Sequence, residues 1–513
     1  MNKLSVLTII FCSLIMIAIH VEKGFYKLND RIIESDVKHY YAWIPSVLVY
    51  NDISLRFLDV NPDNNNIHFI AIDRTPNGKL YLKTTYGVAL MQVPFILPVH
   101  YFLKWTGNIA DGFSMPYRIA LIISSLFYYI MGLLMIRFLV LRKMKLKDLI
   151  ASLTILIIGL GTNIVIYVAR EPALSHVYSF CSIGLFLLLT DKFINKVNWT
   201  NGLIMGFAYG LVTLIRPVNA IVGLIPILWG VASFSDLKER VLLYFKNPVS
   251  TSMIILGVIL LWAPQFMYYQ YLHGSFSFPG YGTGERFFFN NPQLINHLFS
   301  YRKGWFLYTP AMFFAMFGFI VLYREYKTMF WSVLTILVIM VYVNSSWYSW
   351  WFGGSYGQRA YIDIFVLLAL PVAALIYKGM SKGLPIKLTT LTLVFLLVFH
   401  NMFQVMQYLN SAIHYSGMTK AAYWETFGKL HPTDKFQAYL EMPNMELAKN
   451  GIYPKPKKPI ETQQEWVEFI ENDLRKSKEK MQFLTEKAIK NNLPIDTVIR
   501  HDAIYIYKTC YAN

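Results

Sequence analysis

Charged side chains are scarce in this sequence, and the few that lie between its apolar stretches mark where chemistry can take place. Asp36 stands in Ser35-Asp36-Val37-Lys38-His39-Tyr40-Tyr41. A carboxylate held near apolar and aromatic surface has its proton affinity raised, which suits a general base that deprotonates a hydroxyl or amine acceptor, with Tyr40 as a neighbouring substrate contact. The alternative is a helix cap or a solvated loop residue. Arg170-Glu171 occupies a short turn between two apolar runs. An acidic residue at membrane depth is usually either paired or functional, which makes Glu171 a second candidate. His176 follows five residues later. It has no HxH or HxxxH spacing, so a packing role is expected and no metal site.

Cations form the other half of the set. Lys83, Arg118, Arg216, Arg286, Arg302-Lys303 and Arg359 border or interrupt apolar runs. Singly, each fits an interfacial anchor whose stem lies along apolar surface. Together they suit an anionic lipid phosphate, arginine supplying a bidentate fork and lysine a point charge. Lys83, Arg118, Arg216 and Arg359 are the phosphate-binding candidates. In Trp347–Arg359, the aromatic residues Trp347, Trp351 and Tyr356 flank Gly353-Gly354. Glycine permits close backbone approach and aromatic faces suit sugar rings and isoprenoid chains, so these three are candidate substrate contacts. An aromatic belt at the membrane interface is the competing explanation.

The elements that must hold these residues are membrane helices. Of 513 residues 55% are hydrophobic and 15% charged, with mean hydropathy +0.40, which excludes a soluble multidomain protein. Three cysteines, with no CxxC pair, exclude a disulfide framework and zinc fingers. The net charge of +17 would suggest nucleic acid in a soluble chain. In a membrane protein the location of the cations decides, and no nucleic-acid partner is expected. Apolar runs lie at about 4–20, 86–104, 117–140, 149–169, 174–190, 200–216, 217–234, 250–270, 305–323, 328–344, 361–377 and 387–405. The first predicts an uncleaved signal anchor.

The basic short loops, with Lys3, hold 15 Lys/Arg against 5 Asp/Glu. All fall on one side, which the positive-inside rule makes cytoplasmic, only if the run 86–104 does not cross. That run carries Pro94, Pro98, His100 and Lys104, so a juxtamembrane or re-entrant helix is expected there. This leaves about eleven transmembrane helices, a large first outer loop (21–116) and a carboxyl-terminal outer tail. Arg216-Pro217 separates either two spans or the halves of one kinked helix. Asn77-Gly78, between Ile67–Ile72 and Leu80–Thr84, predicts a hairpin in the first loop. The tail, 406–513, has 15 Lys/Arg and 13 Asp/Glu, a break at Tyr453–Pro459, and Trp466, Phe469, Ile470 and Leu474 at helical spacing. It reads as a helical extracytoplasmic domain following a transmembrane module of residues 1–405.

The pattern resembles the GT-C superfamily of membrane glycosyltransferases, in particular the protein O-mannosyltransferase and aminoarabinose-transferase-like group (glycosyltransferase family 39-like). The resemblance covers roughly 1–405. It rests on Asp36 in the first outer loop, Lys83 before a proline-containing apolar segment, Arg118 opening the next span, Arg170-Glu171, Arg216-Pro217, and Gly354-x-x-Gly357-x-Arg359-x-Tyr361. Lys83 is followed by Thr84-Thr85-Tyr86 in place of the family's double proline. The resemblance implies Asp36 as acceptor base, Glu171 as auxiliary acid, and Lys83 and Arg359 as ligands of a polyprenyl-phosphate sugar. The expected protein is an all-α polytopic enzyme of the cell membrane that passes a sugar from a lipid-linked donor to a lipid, glycan or protein acceptor outside. No cofactor is expected, and a divalent metal is left open. A transporter or flippase of lipid-linked saccharide, or a non-catalytic envelope assembly protein, are the alternatives; the first would require internal repeats and midplane charges.

Overall fold

A computed structural model describes residues 3–60, 70, 73–75, 78–276, 284–456 and 460–511. The chain is almost wholly helical. In order the α-helices are α1 (Leu4–Lys23), α2 (Val37–Tyr41), α3 (Trp43–Leu48), α4 (Phe57–Val60), α5 (Gly87–Trp105), α6 (Met115–Phe138), α7 (Asp148–Leu160), α8 (Ile164–Ala169), α9 (Ser175–Asn195), α10 (Trp199–Ile215), α11 (Ile225–Leu228) and α12 (Phe234–Lys246). They continue with α13 (Pro248–His273), α14 (Leu294–Phe299), α15 (Trp305–Tyr308), α16 (Pro310–Glu325), α17 (Lys327–Ser345), α18 (Phe365–Met380), α19 (Leu384–Leu409), α20 (Lys420–Thr426), α21 (Met445–Lys449), α22 (Gln463–Lys476), α23 (Lys478–Asn491) and α24 (Ile495–Ile506). Among the described residues eight helices are long and apolar enough to cross a membrane, Gly87–Trp105 included. The protein is therefore an all-α polytopic membrane protein.

Side-chain contacts sort the loops to two ends of the bundle. At one end the Ser5 backbone N–H donates to Asp148 (3.2 Å) and Arg137 donates to Ser5 (2.7 Å). Lys143 pairs with Asp191, which also accepts from the Trp229 indole at 3.0 Å. Gly230 N–H donates to the Thr328 carbonyl (2.9 Å), and Lys378 pairs with Glu325 (2.7 Å). All the basic short loops thus lie together. Asp36, Glu171, His176, Arg216 and Arg359 lie at the opposite end.

Helices α10 and α13 run parallel. Gly202, Gly206 and Gly210 of α10 meet Ser250, Ile254 and Val258 of α13 in rising order, with backbone so close that no Cβ fits at Gly202 or Gly206. Small residues four apart allow such an approach. Parallel neighbours oblige the chain to return between them, and it does so at Arg216-Pro217. Arg216 is extended (φ −150°, ψ 114°), and the following 3₁₀ segment Pro217–Leu224 folds back along α10, with the Tyr209 hydroxyl donating to the Ala220 carbonyl at 2.9 Å. A single kinked helix over 200–234 is thereby excluded. The run 149–169 is also interrupted, between α7 and α8, where the Asn401 amide of α19 takes the freed carbonyls of Leu160 (2.7 Å) and Thr162 (2.9 Å). A backbone carbonyl left open at that depth would be costly.

Helix α5 touches its neighbours at the site-end levels only. Thr85 donates to the Leu214 carbonyl just before it, Met91 accepts from Tyr128 (2.9 Å), and His100 contacts the Tyr117 hydroxyl (2.7 Å) near the start of α6. The first loop contains a hairpin, but its strands are Asp73–Arg74 and Leu80–Tyr81, paired 73 to 81 and 74 to 80. Gly78 has the positive φ (81°) that the turn needs. Residues 67–69, 71, 72 and 77 of the expected hairpin lie outside the described residues.

The tail divides later than its composition suggests. Ile413, Met418, Ala422, Tyr423 and Phe436 are buried in the main core, whereas Val467, Ile470, Leu474, Leu484, Val498 and Ile499 form a separate core of α22, α23 and α24. Trp466 joins the two, packing on Tyr439 with centroids 5.5 Å apart. Residues 457–459 of the break lie outside the described residues.

Candidate functional site

Arg359 is the centre of the polar cluster at the site end. It opens the 3₁₀ segment Arg359–Ile364 that leads into α18, after a loop bent at Gly353 (φ 64°) and Gly357 (φ 58°). The loop is pinned from beneath. The buried Lys303 ammonium donates to the carbonyls of Ser355 and Tyr415, and the Gln358 amide donates to the Trp350 carbonyl at 3.2 Å. Arg359, with its side chain only 14% accessible, donates through Nη2 to Asp36 Oδ2 at 2.7 Å, while the Asp36 carboxylate remains 52% accessible. Asp36 stands at the start of α2 but makes no side-chain cap bond, so capping is not what occupies this carboxylate.

Electrostatics correct one expectation about Asp36. Burial among protein atoms pushes its pKa up, as anticipated, but Arg359 more than offsets this and, with His39, holds the carboxyl below its ordinary value. Glu171 behaves in the opposite way. Its burial outweighs the attraction of Arg170 and Arg359, and its pKa is pushed up to about 7. Burial also drives Lys303 well below the usual lysine range, with the Arg359 charge adding to the effect. Tyr40 lies between Arg216, Asp36 and Arg359 and hydrogen-bonds Ser175.

Two further ion pairs frame this centre. Arg216, at the α10 reversal, donates to Asp363 Oδ2 (3.1 Å) and Oδ1 (3.3 Å), and His176 Nδ1 lies 2.9 Å from the same Oδ1. Asp363 is fully buried, and among the described residues Arg216 and His176 are the partners that hold its charge. Lys83 pairs with Glu285 at 2.7 Å, and Glu285 accepts from the Tyr348 hydroxyl at 3.2 Å. His39 sits within the field of Asp36, Lys83 and Glu285 and so links this pair to the centre.

Neither protein-family models nor curated proteins match this chain. The geometry must therefore speak for the residues one by one. Asp36, Glu171, Arg216, Arg359, Tyr40 and Lys83 share one cluster. Arg118 is placed elsewhere, buried, and donates to the Leu28 carbonyl and to Asn29 (2.9 Å). Tyr356 is fully buried, its hydroxyl donating to Gln404 (3.1 Å) and its carbonyl accepting from Asn163 and Tyr167 (both 3.2 Å). Trp351 is buried against a cleft of about 1260 Å³ bounded by Arg302, Trp424 and Phe469. Trp347 packs on Phe287 with centroids 4.7 Å apart. Among the described residues no three His, Cys, Asp or Glu side chains gather as a metal site would require.

Sequence reasoning passed over Asp363, Glu285 and the buried role of Lys303. Asp363 had a readable signal, since it is an acid inside the otherwise apolar Tyr361–Ala374. Glu285 had a weaker one, as the one acidic residue between Glu239 and Glu325. What the cluster can do is bind an anion between Arg359, Arg216 and Lys83 and move a proton at Asp36 or Glu171.

Proposed function

We propose that the protein is a GT-C-type glycosyltransferase that moves a sugar from a polyprenyl-phosphate donor to an acceptor on the outer face of the membrane. The observation that carries this reading is the Arg359–Asp36 contact, in which a well-held guanidinium and an accessible carboxylate from distant segments meet at the end opposite the basic loops. The chain crosses eleven times in this reading. The crossings are α1, α6, α7 with α8, α9, α10, the return Pro217–Trp229, α13, α16, α17, α18 and α19, with α5 lying in the outer half of the bilayer. The positive-inside rule then places the basic end in the cytoplasm and the cluster and α22–α24 outside.

The reaction is a displacement at the anomeric carbon. The acceptor oxygen or nitrogen forms a bond to that carbon while the bond to the donor phosphate breaks, and Asp36 takes the acceptor proton. The departing phosphate receives the bonding electron pair and is stabilised by Arg359, with Lys83 and Arg216 beside it. Arg359 cannot hold Asp36 and the phosphate with equal strength. Donor binding draws the guanidinium from Asp36, the carboxyl loses the charge that depresses it, and its proton affinity rises toward the ordinary carboxylate value. Base activation is thus tied to donor loading. Glu171, titrating near 7, serves as auxiliary acid. Lipid, glycan and protein acceptors all suit this scheme.

The test is turnover by the purified full chain in lipid nanodiscs with a panel of polyprenyl-phosphate sugars and crude envelope acceptors. Asp36→Asn keeps shape and removes proton acceptance, so transfer should fall by about 10² or more with donor binding retained. Wild-type-like transfer by a folded Asp36→Asn protein would remove Asp36 from the scheme. Absence of transfer from every donor, with no donor binding, would remove the scheme itself.

A further inference from the structure

At the end of the bundle opposite the site, an apolar groove of about 470 Å³ runs between α16, α18 and α19 on the surface facing the hydrocarbon. Its walls include Phe314 and Phe317 of α16, Ile376 of α18, and Leu393 and Leu397 of α19. Phe317 and Ile386 are 48% and 49% accessible, so no protein segment among those described covers the groove. It narrows where Gly379 passes against Thr390, with no room for a Cβ between α18 and α19. Two lysines, Lys378 and Lys382, close it at the basic end.

Length and charge identify the occupant. From the basic end the lining reaches Leu397 on α19, 11 residues from Ile386, and Ala311 on α16, 14 residues from Glu325, so at 1.5 Å per residue the groove extends about 17 to 21 Å. One leaflet of a hydrocarbon core about 30 Å thick is about 15 Å deep. The groove thus follows an acyl chain from headgroup level to the bilayer centre. Lys378 is neutralised by Glu325 at 2.7 Å. Lys382 is exposed and makes no salt bridge among the described residues, and Lys387 beside Ile386 is exposed likewise, leaving net positive charge at headgroup level. Basic pockets between helices on this side of a membrane take anionic headgroups.

We infer that this groove is a binding site for an anionic phospholipid of the leaflet at the basic end, one acyl chain lying between α16, α18 and α19 and the phosphate on Lys382. The site is remote from Arg359 and does not depend on the glycosyltransferase reading. A free polyprenyl phosphate shares the anionic head, but its chain is far longer than the groove.

The experiment is native mass spectrometry of the full chain released from detergent after titration with phosphatidylglycerol, phosphatidylcholine or undecaprenyl phosphate. Phosphatidylglycerol should be retained about 5-fold better than phosphatidylcholine, and Lys382→Glu should lower that preference while leaving phosphatidylcholine binding unchanged. Val394→Trp should fill the groove and lower retention of both phospholipids. Equal retention of the two phospholipids, an unaltered preference in Lys382→Glu, or undecaprenyl phosphate displacing phosphatidylglycerol mole for mole would each overturn the assignment. Lys382 is exposed on a short turn, so its replacement does not threaten folding.

Discussion

Replacing Arg359 tests the centre of the site most directly, because two independent quantities should move together. The guanidinium donates a charge-assisted bond to Asp36 at 2.7 Å and, in the proposed reaction, passes to the donor phosphate. A hydrogen bond to a charged group is worth about 1.5–3 kcal/mol. Asp36 is 52% accessible, so water screens the pair and the lower part of that range applies. Arg359→Lys keeps the charge but loses the fork, and kcat/KM for the lipid donor should fall about 10-fold. Arg359→Ala also leaves Asp36 and Glu171 without their shared cation, and should cost about 100-fold or more. At the same time the carboxyl of Asp36 loses the charge that depresses it. The acid limb of the pH profile of kcat/KM should therefore move to higher pH in Arg359→Ala. Both readouts come from steady-state kinetics of the purified full chain with donor varied, with thermal melts confirming that each variant is folded. Unchanged donor kinetics in both folded variants would refute the reasoning. A loss of rate without movement of the acid limb would leave Arg359 on the phosphate but break the tie to Asp36.

Glu171 has its pKa raised to about 7, so the folded state favours its protonated form and this contribution is complete below the ordinary value of 4.5 and lost as pH rises through about 7. The wild-type Tm should fall across that window relative to Glu171→Gln, and parallel curves for the two proteins would contradict the assignment. Gly206→Val forces a side chain into the α13 backbone, and thermal or denaturant melts should register a loss of about 1–3 kcal/mol; a stability equal to wild type would show that α10 and α13 can separate freely. Single cysteines at Asp73 and Asp111, in a background lacking the native thiols, should both react with an impermeant maleimide from the outer side. Labelling of only one means that α5 crosses.

The helices themselves were legible because burying a backbone in hydrocarbon demands long apolar runs, and every run predicted became helix in whole or part. The basic loops were legible for a related reason, as charge bias is written locally. Asp36, Glu171, Arg216 and Arg359 could be picked out because ionisable residues beside apolar runs are rare. Their mutual arrangement was not readable. Nothing local announces that Arg216 faces Asp363 while Arg118 turns to the Leu28 carbonyl, since both are arginines at the mouth of an apolar run. The packing of the aromatics of Trp347–Arg359 was unreadable for a similar reason. Tyr356 and Trp351 pack inward, and the glycines beside them serve the turn and the close passage of Tyr308 and Tyr415. The tail boundary was obscured because the segment from Ile413 to Phe436 is polar in composition yet supplies scattered apolar residues to the main core.

The three ion pairs of the site join residues 323, 202 and 147 positions apart in the chain. Synthesis proceeds at about 5–20 residues per second, so Asp36 waits on the order of 15–65 s between its own emergence and that of Arg359. Throughout that interval the first loop stands with its carboxylate unmatched, and Arg216 enters its turn before Asp363 exists. Assembly of the cluster is therefore one of the last events in biogenesis. A ribosome that stops before the final helices leaves a membrane-inserted chain in which Asp36 and Arg216 lack the partners that complete the cluster.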